Sequence, residues 1–247
     1  MNRNRIMNSS FQFKFNSHDD KFSYIILPIV RQNEALSVVT RAFYPYENVC
    51  KGLKLAENTK AVNELNELVK ESIKDGISIV AVDNTTNEII GVSINKIHRL
   101  LPAGETSFFE HFVKERCKEK ESSIVMRFMI DCESTVDLFQ HFKTDKLMEI
   151  MFLAVLPEYG QHGIGYELVK VDLELLAALH ESFKGTDVAI ALWTTNYSAK
   201  IGERLGFQVL SECFYDKIEY DGIKLSDIID SQHKCSRVAG KKLDKKK

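Results

Sequence analysis

Apolar and polar residues follow two different periods along this chain, and segments of the two kinds take turns from one end to the other. Apolar residues at every second position or in short runs predict strands, and apolar residues three or four positions apart predict helices. Strands and helices that alternate in sequence are typical of a mixed sheet covered by helices. We therefore expect an α/β (α+β) fold with a single mixed central sheet flanked by helices.

The first part of the chain predicts one strand, two helices and a hairpin. Ala35, Val38 and Ala42 lie at helical spacing, and a second helical pattern stops at Gly76. Two β-branched runs joined by a polar turn indicate the hairpin. The predicted elements are a strand over 23–30, helices over 31–47 and 58–76, and the hairpin over 77–97.

The second part of the chain begins with a segment, 99–145, that is typical of an insertion. Short amphipathic helices are predicted within it at 106–122 and 132–146. Beyond the insertion, the pattern predicts strands over 146–156, 187–195 and 206–220, with helices over 162–183 and 197–205. With no linker or repeat, we expect one domain over 23–238, after an extension at 1–22 and before a charged tail at 239–247.

Charge and composition exclude several classes of protein. The 33 basic and 35 acidic residues nearly cancel, so no broad field favours nucleic acid or an anionic membrane. The five cysteines are odd in number and widely spaced, which predicts reduced thiols in a cytoplasmic protein and no structural metal. No apolar run is long enough to cross a membrane. We expect a soluble monomer that binds neither nucleic acid nor membrane.

A glycine-rich stretch, "PEYGQHGIGYEL", lies between the predicted strand that ends at 156 and the helix that starts at 162. Helix N-termini present unpaired N–H groups and a partial positive charge, and glycine lets an anion approach them. The stretch is therefore suited to a phosphate or pyrophosphate, although a plain tight turn would also explain it. It lacks the Lys-Ser or Lys-Thr pair of a Walker loop, because Tyr166 and Glu167 follow its last glycine.

Three pieces, in their order along the chain, resemble the GCN5-related N-acetyltransferase (GNAT) superfamily. They are the segment "FYPYEN" at 43–48, the strand and loop "FLAV…GQHGIG", and "YSAKIGERLGF" at 197–207. Within the superfamily, the closest likeness is to the insect-type arylalkylamine N-acetyltransferases. The resemblance spans roughly 23–238 and implies a splayed sheet with acetyl-CoA between two parallel strands.

The resemblance also implies a cofactor site. The strand backbone of Leu153, Ala154 and Val155 would pair with the pantetheine arm. Amides of the loop would hold the pyrophosphate, with Asn196 as a further contact; the loop residues are Gly160, Gln161, His162, Gly163, Ile164 and Gly165. Where the family has Arg or Gln at the head of the loop, this chain has Gly160, so Gln161 or His162 would have to supply that contact.

For catalysis, the resemblance assigns the general base to Glu47, which would act through water on the amine. Glu149 is the second candidate, because strand alternation places it on one face with Met151 and Leu153. Thr194 and Ser198 stand where the family has a pair of serines that assist departure of the thiolate. A helix cap is an equally good interpretation of Ser198.

The amine would meet Tyr44 and Tyr46 beside Glu47, and His233 near the end of the domain. Aromatic rings stack on aryl groups and attract cations. The expected function is transfer of acetyl from acetyl-CoA to a small primary amine, with an arylalkylamine as the expected substrate. A non-catalytic acyl-CoA sensor and a protein or polyamine N-acetyltransferase remain alternatives.

Overall fold

The computed structural model describes residues 14–16, 20–102, 104–183 and 185–243. The first half contains β1 (Lys14–Asn16), β2 (Phe22–Ile26), α1 (Gln32–Ala42), α2 (Asn48–Gly52), α3 (Thr59–Ile73), β3 (Ile79–Asp83) and β4 (Ile89–Arg99). The second half contains α4 (Phe108–Arg116), α5 (Lys120–Glu133), α6 (Leu138–Phe142), β5 (Lys146–Val155), α7 (Ile164–Phe183), β6 (Val188–Trp193), α8 (Asn196–Arg204), β7 (Gln208–Phe214), β8 (Glu219–Tyr220), β9 (Ile223–Lys224), α9 (Leu225–Ile228) and β10 (Cys235–Lys242).

Eight of these strands form one mixed sheet, in the order β1-β2-β3-β4-β5-β6-β10-β7. Neighbouring strands are antiparallel except β5 and β6, which are parallel. The parallel pair lies near the centre of the sheet, and β8 and β9 form a separate small hairpin. The sheet class expected from the sequence is confirmed.

Helices cover both faces of the sheet. On one face α7 packs so closely that a Cβ added at Gly91 of β4 would lie 3.1 Å from Ile164 and 3.3 Å from Leu168. On the other face α1 packs on β4 and β5, α3 on β4 and α5 on β6, and Phe43 packs edge-to-face on Phe152 of β5 at 5.0 Å. The sheet is therefore buried on both sides in its central strands.

A buried carboxyl fixes α7 on the sheet. Asp172 of α7 is fully buried and accepts hydrogen bonds of 2.6 Å from Ser93 Oγ and from Asn95 Nδ2, both on β4. Burial raises the pKa of Asp172 to about 8. Because α7 begins at the glycine loop, these bonds also fix the position of that loop.

Several elements differ from the sequence-based prediction. The first helix ends at Ala42 rather than 47, because Pro45 disfavours helical backbone at the residue before it. The segment 99–145 contains three helices, and α5 was not predicted at all. Residues 239–242 were expected in the charged tail, but they belong to β10, which is paired on both sides.

Little of the predicted N-terminal extension is described. Residues Lys14–Asn16 form β1 and pair with β2, and the rest of 1–19 lies outside the described residues, as does 244–247. None of the helices in the described part of the chain is both long and apolar enough to cross a membrane.

Candidate active site

The parallel strands β5 and β6 separate soon after they meet. They pair only at Met148–Ala189, Glu149–Ile190 and Ile150–Ala191, and β5 then continues to Val155 without β6 beside it. The amide of Leu156 donates to Ile90 O on β4, at 2.9 Å. Because backbone groups alternate in direction along a strand, the N–H and C=O of Leu153 and Val155 point the other way, into the gap.

A β-bulge lies where the strands part. Ile94 of β4 pairs with Phe152, but the next residue, Asn95, pairs with Ile150, so Met151 is the extra residue. The bulge shifts the alternation by one position, and Phe152 rather than Leu153 shares the face of Glu149. The alternation expected from the sequence, with Glu149, Met151 and Leu153 on one face, is therefore wrong.

An apolar cavity of about 240 Å³ opens beside the gap. Its wall comes from α1 and the segment after it, from α3, α5, β5 and β6, and from the start of α8. The lining residues are Ala42, Phe43, Tyr46, Glu47, Val49, Leu65, Leu68, Val125, Met126, Phe128, Met129, Glu149, Ile150, Met151, Phe152, Leu153, Leu192, Trp193, Thr194, Thr195, Tyr197 and Ser198. Glu47 and Glu149 are the only charged residues among them.

The glycine loop bends sharply into α7. Gln161 and Gly163 both have positive φ, +64° and +74°, whereas Gly160 has an extended backbone with φ −60°. A Cβ at Gly163 would meet no atom within 4 Å, so glycine serves the backbone turn there and leaves open space in front of it. The first N–H groups of α7 have no acceptor within the helix, and they lie at the end of the helix that borders this open space.

Of the two residues that could replace the missing Arg or Gln, His162 is already engaged. Its Nδ1 lies 2.8 Å from Gly160 O, and its ring packs edge-to-face on Phe22 at 5.8 Å. The imidazole is thus folded back on its own loop. Gln161 is exposed at the surface.

Glu47 lies at the cavity and at the N-terminus of α2. Its two carboxylate oxygens accept hydrogen bonds from the amides of Val49, at 3.2 Å, and Cys50, at 2.8 Å. This is an N-cap, which a glutamate can make when its carboxylate reaches the first turn. The predicted base therefore also holds α2 in place. Cys50 itself is buried, and burial raises its thiol pKa, which argues against a role as nucleophile.

Glu149 has very different surroundings. Only 1% of it is exposed, and its Oε2 lies 2.7 Å from Nε2 of His98 on β4. Burial raises the pKa of Glu149 to about 7, and the neighbouring Glu133 of α5 opposes part of that rise. The sequence analysis identified Glu149 but neither of its partners.

Thr194 and Ser198 both line the cavity, at the junction of β6 and α8. Thr195 is the N-cap of α8, and it forms a capping box with Ser198 in which each side chain accepts the other's backbone amide. The carbonyl oxygen of Thr194 accepts hydrogen bonds from Asn48 Nδ2 and Tyr215 Oη, at 2.6 and 2.7 Å. The capping interpretation of Ser198 is confirmed, and the Thr195 cap was missed.

The predicted substrate residues are spread over three environments. Tyr46 is 58% exposed at the mouth of the cavity. Tyr44 is fully buried in the core, with its hydroxyl donating to Asn66 Oδ1, so the prediction that it meets the substrate is wrong. His233 is buried outside the cavity lining, and its Nδ1 accepts a hydrogen bond from the Asn196 amide at 3.2 Å.

Helix α5, which the sequence analysis missed, supplies one wall of the cavity. Val125, Met126, Phe128 and Met129 line it from this helix. The helix is anchored at its start by Glu64 of α3, whose carboxylate accepts hydrogen bonds from the Lys118 and Glu119 amides and from Ser122 Oγ. The signal that could have revealed α5 is the run "SSIVMRFMI", in which apolar residues are concentrated.

The indole of Trp193 packs under α8, and a Cβ added at Gly202 would lie 2.4 Å from its Nε1. That Nε1 is a buried donor with no hydrogen-bond partner among the described residues. A larger residue at 202 would force the indole of Trp193 to move.

The separated parallel strands, the loop that enters α7 and the cavity beside them define the GNAT fold, and solved structures confirm it. Arylalkylamine N-acetyltransferase 2 from Aedes aegypti has a TM-score of 0.76 at 21% identity, over 90% of this chain and 99% of that chain. Polyamine N acetyltransferase from Drosophila melanogaster has a TM-score of 0.71 at 15% identity, over 90% of this chain and 100% of that chain. The C-terminal condensation domain of Ebony has a TM-score of 0.65 at 16% identity, over 90% of this chain and 99% of that chain.

This chain therefore has the GNAT fold, as the sequence resemblance implied. No protein-family model and no curated protein matches the sequence. At these identities the likeness concerns the fold, and the activity has to be argued from the site.

The contact between Gly202 and Trp193 predicts a loss of stability in Gly202→Ala. The added methyl group would displace the buried indole, and overpacking of this kind costs about 1–3 kcal/mol. Gly165→Ala in α7 is the matched control, because its Cβ would lie 3.5 Å from Ile201, an ordinary contact. Urea unfolding should show a lower midpoint for Gly202→Ala and an unchanged or higher one for Gly165→Ala. Equal midpoints would contradict the assigned packing.

Proposed function

We propose that this protein is an acetyl-CoA-dependent N-acetyltransferase that acts on the primary amine of a small molecule, with an arylalkylamine as the favoured substrate. The observation that carries the proposal is the gap between β5 and β6, with a polar loop at one end and an apolar, carboxylate-bearing cavity at the other. An extended acyl carrier and an amine would meet where the gap joins the cavity.

Backbone groups support acetyl-CoA as the donor. The pantetheine arm is an extended chain of amides, and the unpaired edge of β5 at Leu153 and Val155 offers it strand-like hydrogen bonds. The amides from Gly160 to Gly165 would hold the pyrophosphate at the start of α7. The same edge would supply an N–H to the thioester oxygen as charge develops on it. No metal is needed for these steps.

The amine would enter the cavity and attack the thioester directly, in a ternary complex. Glu47 at the rim of the cavity is proposed as a general base, acting on the amine through water. Ser198 or Thr194 would pass a proton to the departing thiolate from the start of α8. The rings of Phe43, Phe128 and Phe152 favour an aryl group.

Two other functions have some support. The Drosophila melanogaster neighbour is described as an enzyme that catalyses the formation of N-acetylagmatine, so a polyamine or guanidine-bearing amine is a second substrate class. A sensor that binds acyl-CoA without turnover is favoured by Gly160, where the superfamily has Arg or Gln. A protein substrate is less suited to this cavity, because residues of α5 form one of its walls, whereas a peptide needs an open groove.

A panel of amines separates these functions. Purified protein with acetyl-CoA should release thiol in proportion to acetylated product with arylalkylamines, and less with polyamines and with peptides. Reversal of that order would change the substrate class. Saturable binding of acetyl-CoA without thiol release from any amine would favour the sensor.

Replacement of the proposed base gives a second test. Glu47→Gln should lower kcat by about 10²- to 10⁴-fold, because the amide cannot accept the proton. The acetyl-CoA dissociation constant should stay nearly unchanged, and the remaining side-chain oxygen can still cap α2. Steady-state kinetics and calorimetric titration measure the two effects. Undiminished turnover would remove Glu47 from the mechanism.

The glycine loop gives a third test, read as the thermal shift on adding acetyl-CoA. Ligand at about 100 times its dissociation constant stabilises a protein by roughly 2.7 kcal/mol. Gly163→Glu should lose the shift by steric exclusion and charge repulsion, whereas Gly163→Asn, which tolerates the positive φ, should keep it. Gly160→Arg should increase it, because φ at 160 is −60° and a guanidinium binds phosphate; the added Cβ would lie 3.1 Å from Pro157 O, so the turn has to shift slightly to admit it. A full shift in Gly163→Glu would place the phosphates elsewhere.

A further inference from the structure

The glycine loop, together with the turn 157–159 before it, is held by strands that lie far from it in the sequence. The segment leaves β5 beside β4, where the Leu156 amide donates to Ile90 O, and then crosses the end of the sheet. There it meets Asp83, the last residue of β3, and Phe22, the first residue of β2. The loop therefore has supports outside its own turn.

Phe22 contacts two rings of this segment at once. Its ring lies edge-to-face on Tyr159, with centroids 6.2 Å apart, and edge-to-face on His162, with centroids 5.8 Å apart. Phe22 itself is buried and belongs to the hydrophobic core. Edge-to-face pairs at these separations are attractive beyond the area that they bury. One buried ring thus fixes a residue on each side of Gly160 and Gln161.

A hydrogen bond orients Tyr159 further. Its hydroxyl donates to Asp83 Oδ2 at 3.1 Å, and Asp83 lies directly opposite Phe22 in the pairing of β2 with β3. Asp83 is itself held by the Thr85 amide, which donates to Oδ1 at 2.7 Å and lowers the pKa of the carboxyl. Ring packing and a charge-assisted hydrogen bond therefore act on the same side chain.

Between these anchors the backbone has a conformation that it would not keep alone. Gln161 has φ +64°, in the left-handed region that residues with a side chain rarely occupy. Such a conformation persists where the surrounding structure imposes it. The Gln161 side chain is exposed, so the constraint comes from its neighbours, and His162 adds to it by donating from Nδ1 to Gly160 O at 2.8 Å.

The order of the loop matters for an anion because it sets the direction of the loop amides. Amides that a ligand has to order cost binding free energy, whereas amides that are already in place do not. This chain has Gly160 where the resembled superfamily has Arg or Gln, so it offers the pyrophosphate no side chain at that position. Binding through amides alone depends more strongly on their order before the ligand arrives.

We propose that Phe22, Tyr159 and His162 form an aromatic clamp that orders the glycine loop for the pyrophosphate of acetyl-CoA before the cofactor binds; this rests on the proposed function. The three rings are positioning residues, because they act through the loop amides. The clamp offsets the missing side chain at Gly160 by lowering the cost of the contacts that the amides make. The affinity for acetyl-CoA then depends on β2, a strand that does not border the gap between β5 and β6.

The first experiment needs no cofactor. Phe22→Leu removes one ring of the clamp, and Phe112→Leu is the matched control, because Phe112 of α4 is equally buried and its ring packs on Phe108. Hydrogen exchange followed by mass spectrometry reports the order of the loop in the free protein. Peptides over 157–168 should exchange about tenfold faster in Phe22→Leu than in wild type, and at the wild-type rate in Phe112→Leu.

The second experiment separates the pyrophosphate from the rest of the cofactor. S-acetylpantetheine carries the thioester and the pantetheine arm but no phosphate. Phe22→Leu should raise the acetyl-CoA dissociation constant about 5- to 50-fold, because the ligand must then order the loop. The kcat at saturating acetyl-CoA and the kcat/KM for S-acetylpantetheine should stay within about twofold of wild type. A merely structural defect would lower turnover with both donors alike.

Tyr159→Phe repeats the test with a smaller change, and it decides the matter if Phe22→Leu does not fold. It keeps the ring and removes only the hydrogen bond to Asp83, so the acetyl-CoA dissociation constant should rise about 2- to 10-fold. Unchanged affinity with unchanged loop exchange, or an equal loss with both donors, would overturn the clamp. Faster loop exchange in the variants of a protein that binds no acetyl-CoA even as wild type would instead overturn the proposed function, and with it the role of the clamp in cofactor binding.

Discussion

The early end of pairing between β5 and β6 is the constraint on which the candidate site depends. After three residue pairs the strands separate at the Met151 bulge, and β5 keeps an edge of unpaired backbone groups inside the protein. Such an edge costs stability unless water or a ligand satisfies it. Three elements border this opening. They are the loop that leads into α7, the start of α8 after β6, and helix α5, which forms one wall of the cavity.

Two glutamates at the same cavity differ because of what lies next to them. Glu47 is held by amides at the start of α2, so its carboxylate belongs to the local fold as much as to the cavity. Glu149 is buried beside His98, and burial raises its pKa to about 7. One residue type thus occupies two different environments within one site. Backbone capping and burial, rather than the residue type, separate them.

Elements with strong periodicity could be predicted from the sequence, and elements defined by distant contacts could not. The strand at 146–156 and the helix at 162–183 stood out by their apolar patterns, and so did the loop between them. Strand β10 contains a glycine and three basic residues, so only its pairing with β6 and β7 identifies it. The bulge depends on the register of two strands, and the partners of Glu149 come from other elements. Local patterns carry none of this information.

The position of β10 has a consequence for how the protein folds. It lies between β6 and β7 in the sheet but follows both in the chain, and β7 touches the sheet through β10 alone among the described strands. During synthesis, β7 therefore leaves the ribosome before the strand that it joins. The edge of β6 that pairs with β10 stays open while more than forty further residues are added, because β6 is Val188–Trp193 and β10 is Cys235–Lys242. Pairing over such separations is slow, and an exposed strand edge is prone to associate with other chains. This half of the molecule is the part that a chaperone would have most reason to protect.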